Sequence, residues 1–109
     1  MYAKPTGVVA LLAIACATIS CDVSCEDLCD REEELGCPVA DCRGECTTQD
    51  NLTDASGCVD QYDTKLSCRD DLSDDDFCTN LDACRSEEVA FDQCIKAYCA
   101  TNPSSTGCP

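Results

Sequence analysis

The chain has 109 residues, of which 14 are cysteine, 22 are aspartate or glutamate and 7 are lysine or arginine, and it contains no histidine. Its formal net charge of −15 argues against nucleic acid as a partner, because phosphate backbones are bound by basic residues. The lack of histidine excludes the commonest general base, the Ser–His and Cys–His nucleophile pairs, and zinc sites that use imidazole. The composition therefore predicts a small non-enzymatic protein whose cysteine content is typical of a disulfide scaffold.

The first 20 residues have the layout of a secretory signal peptide. Lys4 supplies the positive charge near the start, and residues 8–17 form an apolar run that is too short for a permanent membrane span. We therefore divide the chain into a signal peptide, residues 1–20, and a cysteine-rich helical domain, residues 21–109. All 22 acids and six of the seven bases fall in this domain, so its formal side-chain charge is −16.

The sequence leaves two sites open for removal of the signal peptide. Residues 18–21, Thr-Ile-Ser-Cys, resemble a bacterial lipobox, in which the cysteine is acylated and becomes the first residue of a lipoprotein, although lipoboxes prefer leucine where Thr18 stands. Alternatively, Ala15-Cys16-Ala17 satisfies the small-x-small rule of ordinary signal peptidase and would release a free protein that begins at Thr18. Loss of Cys16 leaves thirteen cysteines, and acylation of Cys21 leaves an even twelve. Because secreted proteins rarely keep an odd thiol, parity favours lipidation of Cys21.

Two helices are predicted at the start of the domain from cysteines that recur every four residues and so share one helix face. Gly36 ends the first of these helices, and Pro38 begins the second, which runs to about Thr48. Glu32 continues the cysteine column of the first helix. The recurring cysteines are Cys21, Cys25 and Cys29 in the first helix, and Cys42 and Cys46 in the second.

Three further helices are predicted from apolar residues at helical spacing. A polar stretch, residues 49–52, precedes the third helix. Ser73 begins the fourth, with three aspartates in its first turn, and this helix leads to Cys84. The fifth restarts at Ser86 and ends before Pro103. The apolar faces consist of Ala55, Cys58, Val59, Tyr62 and Leu66 in the third helix, Phe77, Cys78, Leu81 and Cys84 in the fourth, and Phe91, Cys94, Ile95 and Tyr98 in the fifth.

These patterns predict an all-α fold, a small disulfide-stapled array of about five short helices. From Cys21 onward only about 15% of the residues are leucine, isoleucine, valine or phenylalanine, a fraction typical of disordered chains unless cross-links stabilise the fold. Two equal intervals of nine residues predict that antiparallel helices are bridged by Cys58–Cys94 and Cys68–Cys84. The predicted disulfide cysteines are Cys25, Cys29, Cys37, Cys42, Cys46, Cys58, Cys68, Cys78, Cys84, Cys94, Cys99 and Cys108.

No metal site and no cofactor are expected. The chain contains no Cys-x-Cys or Cys-x-x-Cys, which are the spacings that wrap a chelate around one zinc ion. The acidic run of residues 70–76 is rich in oxygen ligands, but it lacks the glycine and the closing glutamate of an EF-hand loop. We therefore interpret this run as a helix cap with solvated carboxylates.

The Cys-x3-Cys-x3-Cys start, the Gly-Cys-Pro step and the closing Cys84-x9-Cys94-x4-Cys99 resemble small cysteine-rich lipoproteins and secreted proteins of myxobacteria and related deltaproteobacteria. The resemblance implies an extracytoplasmic location and no catalytic residues. We expect a lipid-anchored envelope protein with a structural or protein-binding role. The alternative is a freely secreted signalling or inhibitory mini-protein. The expected partners are a protein with a basic or neutral surface and, through an acyl anchor on Cys21, a membrane, but not nucleic acid.

Overall fold

The computed structural model describes residues 23–38 and 40–109. The predicted signal peptide and Cys21 lie outside these residues. No strand occurs in the part of the chain that is described, which confirms the predicted all-α array. None of its helices is long and apolar enough to cross a bilayer. The five helices are α1 (Cys25–Leu35), α2 (Cys42–Ser56), α3 (Val59–Asp70), α4 (Asp74–Phe77) and α5 (Arg85–Thr101).

Helix α1 has a defined signal at each end. The Ser24 hydroxyl accepts a hydrogen bond from the Asp27 amide at 3.0 Å, and the Asp27 carboxylate accepts one from the Ser24 amide at 3.2 Å. This reciprocal pair is a capping box, which satisfies backbone donors that the first helical turn leaves open. At the other end, Gly36 has a φ of 72°, a left-handed conformation that glycine adopts without steric cost. The predicted end of the first helix is therefore confirmed.

The predicted bounds of the second helix are wrong at both ends. Asp41 caps the helix by accepting a hydrogen bond from the Gly44 amide at 3.1 Å, so α2 begins at Cys42 rather than at Pro38. The helix then continues through the polar stretch at residues 49–52, because that stretch also carries Leu52, which is buried in the core. Gly57, with a φ of 77°, ends α2 eight residues later than predicted.

The fourth helix is also much shorter than predicted. Ser73 caps it as expected, by accepting a hydrogen bond from the Asp76 amide at 3.3 Å. The helix ends at Phe77, however, and turns connect it to α5. Leu81, predicted on the apolar face, is 71% exposed. The adjacent Cys78 is bonded to Cys37 in the loop after α1, and this bridge holds the chain where it leaves the helix.

Helices α3 and α5 supply two of the three aromatic side chains of the core. The Tyr62 and Phe91 rings pack with their centroids 5.2 Å apart, and Leu66 and Ile95 lie beside them in the same buried cluster. The predicted apolar face of the fifth helix is confirmed at Phe91 and Ile95, whereas Val59 of the third predicted face is 46% exposed. The core is completed by Leu28 of α1, Leu52 of α2, Cys58 and Phe77.

Candidate functional site

Six disulfides join the twelve cysteines between Cys25 and Cys108, so every cysteine of the described residues is bonded. These are the twelve residues that the sequence predicts as disulfide cysteines. The Cα atoms of the bonded pairs lie 5.3–6.1 Å apart, within the range that a disulfide spans. The pairs are Cys25–Cys46, Cys29–Cys42, Cys37–Cys78, Cys58–Cys94, Cys68–Cys84 and Cys99–Cys108.

Two of these bridges join α3 to α5 in the pattern that the nine-residue intervals predict. Cys58 bonds Cys94 with a Cα separation of 6.1 Å, and Cys68 bonds Cys84 with a separation of 5.9 Å. The partners follow in reverse order along the chain: Cys58, just before α3, bonds Cys94 inside α5, and Cys68, near the end of α3, bonds Cys84, just before α5. This order requires antiparallel helices. The equal spacing therefore indicated both the topology and the pairing.

A second pair of bridges joins α1 to α2, and we call it the double bridge: Cys25–Cys46 and Cys29–Cys42. Each helix contributes two cysteines four residues apart, so the two disulfides lie side by side. The Sγ atoms of Cys29 and Cys46, which belong to different disulfides, are only 3.4 Å apart. These two residues are buried, whereas Cys25 and Cys42 are partly exposed. The double bridge thus has two inner and two outer sulfur atoms.

The outer cysteines open into one cavity of about 160 Å³ between α1, α2, α3 and α5, which we call the central cavity. Cys25 and Cys42 both line it, and the cations of Lys65 and Arg69 line it from α3. Its acidic wall is formed by Glu32, Glu45 and Glu88. The central cavity therefore combines disulfide sulfur atoms with charges of both signs.

Partial burial changes the proton affinity of two residues in the central cavity. Burial raises the pKa of Glu32, nearby Glu45 adds to the increase, and the positive charge of Arg69 opposes it. Burial lowers the pKa of Lys65, against the attraction of Glu88 and Asp92. In both residues the loss of hydration disfavours the charged form, and this is the largest cause.

Glu32 also contacts the double bridge directly. Its Oε1 atom lies 2.9 Å from the Sγ atom of Cys42. A disulfide sulfur carries no hydrogen, so a hydrogen bond across this contact has the protonated Glu32 carboxyl group as its donor. The raised pKa of Glu32 favours that protonated form. The sequence placed Glu32 in the cysteine column, but only the fold shows which sulfur it contacts.

Half of the basic residues of the described chain lie over aromatic rings rather than at the free surface. The guanidinium carbons of Arg31 and Arg69 lie 4.3 Å and 4.4 Å from the centroid of the buried Phe77 ring. The ammonium group of Lys65 lies 4.8 Å from the centroid of Phe91. Such cation–π contacts favour a cation over the negative face of a ring. Sequence reasoning missed this use of the cations, because the aromatic residues are far from them along the chain.

The remaining bases leave the acidic surface largely uncompensated. Arg43 pairs with Asp30 and Arg85 pairs with Asp82, and all four side chains are mostly exposed, so these ion pairs contribute little to stability. Lys96 is exposed and forms no ion pair among the described residues. The exterior therefore carries a large excess of carboxylates.

The acidic run predicted to cap a helix does so. Ser73 and the three aspartates after it form the cap and the first turn of α4. Asp74 also accepts a hydrogen bond from Arg31 at 2.9 Å, which joins α1 to α4. The other predicted site residue, Cys21 as the lipidation site, lies outside the described residues.

Two sulfur-rich clusters have the proximity that a metal site requires, and both belong to the double bridge. Cys25, Cys29 and Cys46 form one, and Cys29, Glu32 and Cys42 form the other. Metal ions bind cysteine as the thiolate, and these sulfur atoms are bonded to each other instead.

Comparison of the chain with protein-family models, characterised proteins and solved structures found no match.

Proposed function

We propose that the protein is an exported, non-enzymatic helical scaffold that binds a protein partner in the cell envelope and is anchored there through an acylated Cys21. The observation that supports this proposal is the pairing of all twelve cysteines of the described residues in six disulfides. Disulfides persist in oxidising compartments outside the cytoplasm, and a small helical protein with this many bridges fits export.

The charge distribution supports a partner with a basic or neutral surface. The formal side-chain charge after residue 20 is −16, and Arg31, Lys65 and Arg69 are engaged with buried aromatic rings. Anionic lipid headgroups and nucleic acids would be repelled by such a surface. Membrane attachment would therefore depend on the acyl chains, with no help from the charge of the protein.

The mass of the intact protein, before and after reduction, tests this proposal. A lipoprotein would begin at Cys21, carry the mass of its acyl chains and gain twelve hydrogens on full reduction of six bridges. Growth with a fatty-acid analogue would label the same protein. A chain without acyl mass or label would contradict the anchor, and a gain other than twelve hydrogens would contradict the pairing.

A freely secreted signalling or inhibitory mini-protein is the second candidate. The Ala15-Cys16-Ala17 cleavage site and the departure from a lipobox at Thr18 support it. This protein would appear in the culture supernatant with Thr18 as its first residue and Cys21 without lipid. The N-terminal residue and the acyl mass therefore distinguish the two candidates in one measurement.

A further inference from the structure

We propose that the double bridge is a thiol–disulfide exchange site, which accepts two electrons from an exported dithiol and re-pairs so that Cys29 bonds Cys46 and the outer Cys25 and Cys42 become thiols. The proposal goes beyond a structural role for these bridges. It rests on the 3.4 Å contact between the inner sulfur atoms and on the opening of both outer cysteines into the central cavity.

The access of each sulfur decides where an external thiolate attacks. Cys29 and Cys46 are 4% and 0% exposed, so an incoming thiolate reaches the outer cysteines instead. Thiol–disulfide exchange proceeds by attack of a thiolate on one sulfur and departure of the other as a thiolate. Attack on Cys25 therefore forms a mixed disulfide there and releases the thiolate of Cys46 inside the protein.

The released thiolate has a second disulfide within reach. The Cys46 sulfur lies 3.4 Å from the Cys29 sulfur, which is bonded to Cys42. Attack of Cys46 on Cys29 forms the Cys29–Cys46 bond, breaks the Cys29–Cys42 bond and leaves Cys42 as the departing thiolate. The negative charge thereby moves from a buried position to one at the wall of the central cavity, where burial of the charged form costs less.

The surroundings of Cys42 suit a departing thiolate. The Oε1 atom of Glu32 lies 2.9 Å from the Cys42 sulfur, so this carboxyl group is placed to supply a proton to Cys42 when it is protonated. Lys65 and Arg69 line the same cavity, and neighbouring cations stabilise thiolates. Glu32 then recovers a proton from solvent.

The exchange balances in atoms and electrons. The second thiolate of the external dithiol attacks the mixed disulfide, leaves oxidised as its own disulfide and frees Cys25. Two bridges become one bridge and two thiols, and the two protons of the dithiol account for the new thiol protons on Cys25 and Cys42. In the reverse direction the Cys25 and Cys42 thiols would reduce an external disulfide to a dithiol, and both original bridges would form again.

Limited reduction followed by thiol mapping tests the proposal on the folded, fully oxidised chain. The protein is treated briefly with dithiothreitol, quenched with acid, labelled with N-ethylmaleimide under denaturing conditions and digested without further reduction. Among molecules labelled in α1 or α2, we expect the labels on Cys25 and Cys42 and a peptide pair joined by Cys29–Cys46. Cys21 is not part of the double bridge, so a label on Cys21 is recorded separately and is not used to assign the product.

Two outcomes would overturn the proposal. Labels on Cys25 and Cys46, with Cys29–Cys42 intact, would show that one bridge opens without re-pairing. Labels on Cys29 and Cys42, with Cys25–Cys46 intact, would show the same for the other bridge. Either map contradicts the exchange, because the proposed product contains neither original bond.

Removal of the Cys29–Cys42 bridge, which the Cys46 thiolate attacks in the proposed exchange, provides a matched comparison. In a Cys29→Ser, Cys42→Ser variant, the Cys46 thiolate has no neighbouring disulfide, so we expect the labels on Cys25 and Cys46. The Cys68→Ser, Cys84→Ser variant also loses one bridge, but one that joins α3 to α5 and keeps all four cysteines of the double bridge, so it should retain the Cys25 and Cys42 labels. Loss of the Cys25 and Cys42 pattern in this control would count against a local exchange.

The role of Glu32 is tested by Glu32→Gln, which keeps the size of the side chain but removes the acidic proton. We expect formation of the Cys29–Cys46 bond to slow by about tenfold or more, because positioned proton donors contribute at least this much. The exposed neighbour Glu33 provides the control, since Glu33→Gln makes the same change of charge. Equal rates in the two variants would contradict a proton transfer from Glu32.

Discussion

At the scale of single residues, Phe77 connects the core to the charges around it. Its side chain is fully buried although it lies in a helix of only four residues. Arg31 of α1 and Arg69 of α3 lie over its ring, and Arg31 also donates to the Leu72 carbonyl at 2.6 Å. One aromatic ring thus holds two helices around the short α4.

Replacement of Phe77 by alanine should strongly destabilise the protein. The change leaves a cavity in the core and removes the ring from both guanidinium groups, so we expect a loss of about 3–5 kcal/mol in the free energy of unfolding. Denaturant unfolding with the disulfides intact measures this loss. Leu81→Ala removes an apolar side chain that is 71% exposed and should change the stability by less than about 0.5 kcal/mol. Similar losses in the two variants would contradict the central position of Phe77.

At the scale of the elements, the ends of the helices determine how the chain turns back on itself. Gly57 ends α2 with a φ of 77°, and only Cys58 separates it from the first residue of α3. The turn between these helices is therefore tight and depends on one left-handed residue. Among the described residues, no atom beyond the chain neighbours of Gly57 and the backbone of its own helix lies within 4 Å of a Cβ placed there, so these residues leave space for a side chain.

A comparison of two substitutions at Gly57 isolates the effect of its backbone conformation. Gly57→Ala places a Cβ in the left-handed region and should cost about 1–2 kcal/mol. Asn tolerates this region better, so Gly57→Asn should cost less. The unfolding free energies of both variants provide the test. An equal cost for the two would indicate that the left-handed conformation is not the cause.

The local signals of the sequence predicted some elements well and others poorly. Ser73, Gly36 and the spacing of Phe91 and Ile95 act through neighbours within one or two turns, so the sequence alone indicates their roles. The extent of α2 depends on Leu52 packing into a core built by other helices, which no local pattern shows. The contact of Glu32 with Cys42, and its place beside Arg69, likewise requires three helices to meet.

At the scale of the whole molecule, the disulfides compensate for a sparse core and a highly charged surface. Charge of one sign favours an expanded chain through self-repulsion, and few large apolar residues are available to oppose it. Each bridge restricts the unfolded chain and contributes roughly 2–4 kcal/mol in the entropic account of disulfide stability. Since small domains are stable by only about 5–15 kcal/mol, the six bridges together are comparable with the whole stability.

Complete reduction should therefore unfold the protein. We expect the helical circular dichroism signal to be largely lost after full reduction and alkylation, at a temperature where the oxidised protein remains helical. Protein treated with the alkylating agent alone is the control and should keep its signal. Helix content that survives reduction would show that the core suffices without the bridges.

The arrangement of the bridges also determines how the protein responds to proteolysis. Every loop between the five helices is spanned by at least one disulfide, and Cys37–Cys78 is the one bridge that joins the α1–α2 pair to the rest of the described chain. A single cut in any of these loops therefore adds a molecule of water but releases no fragment. Such nicked molecules would migrate as one species on a non-reducing gel and separate into two pieces only after reduction.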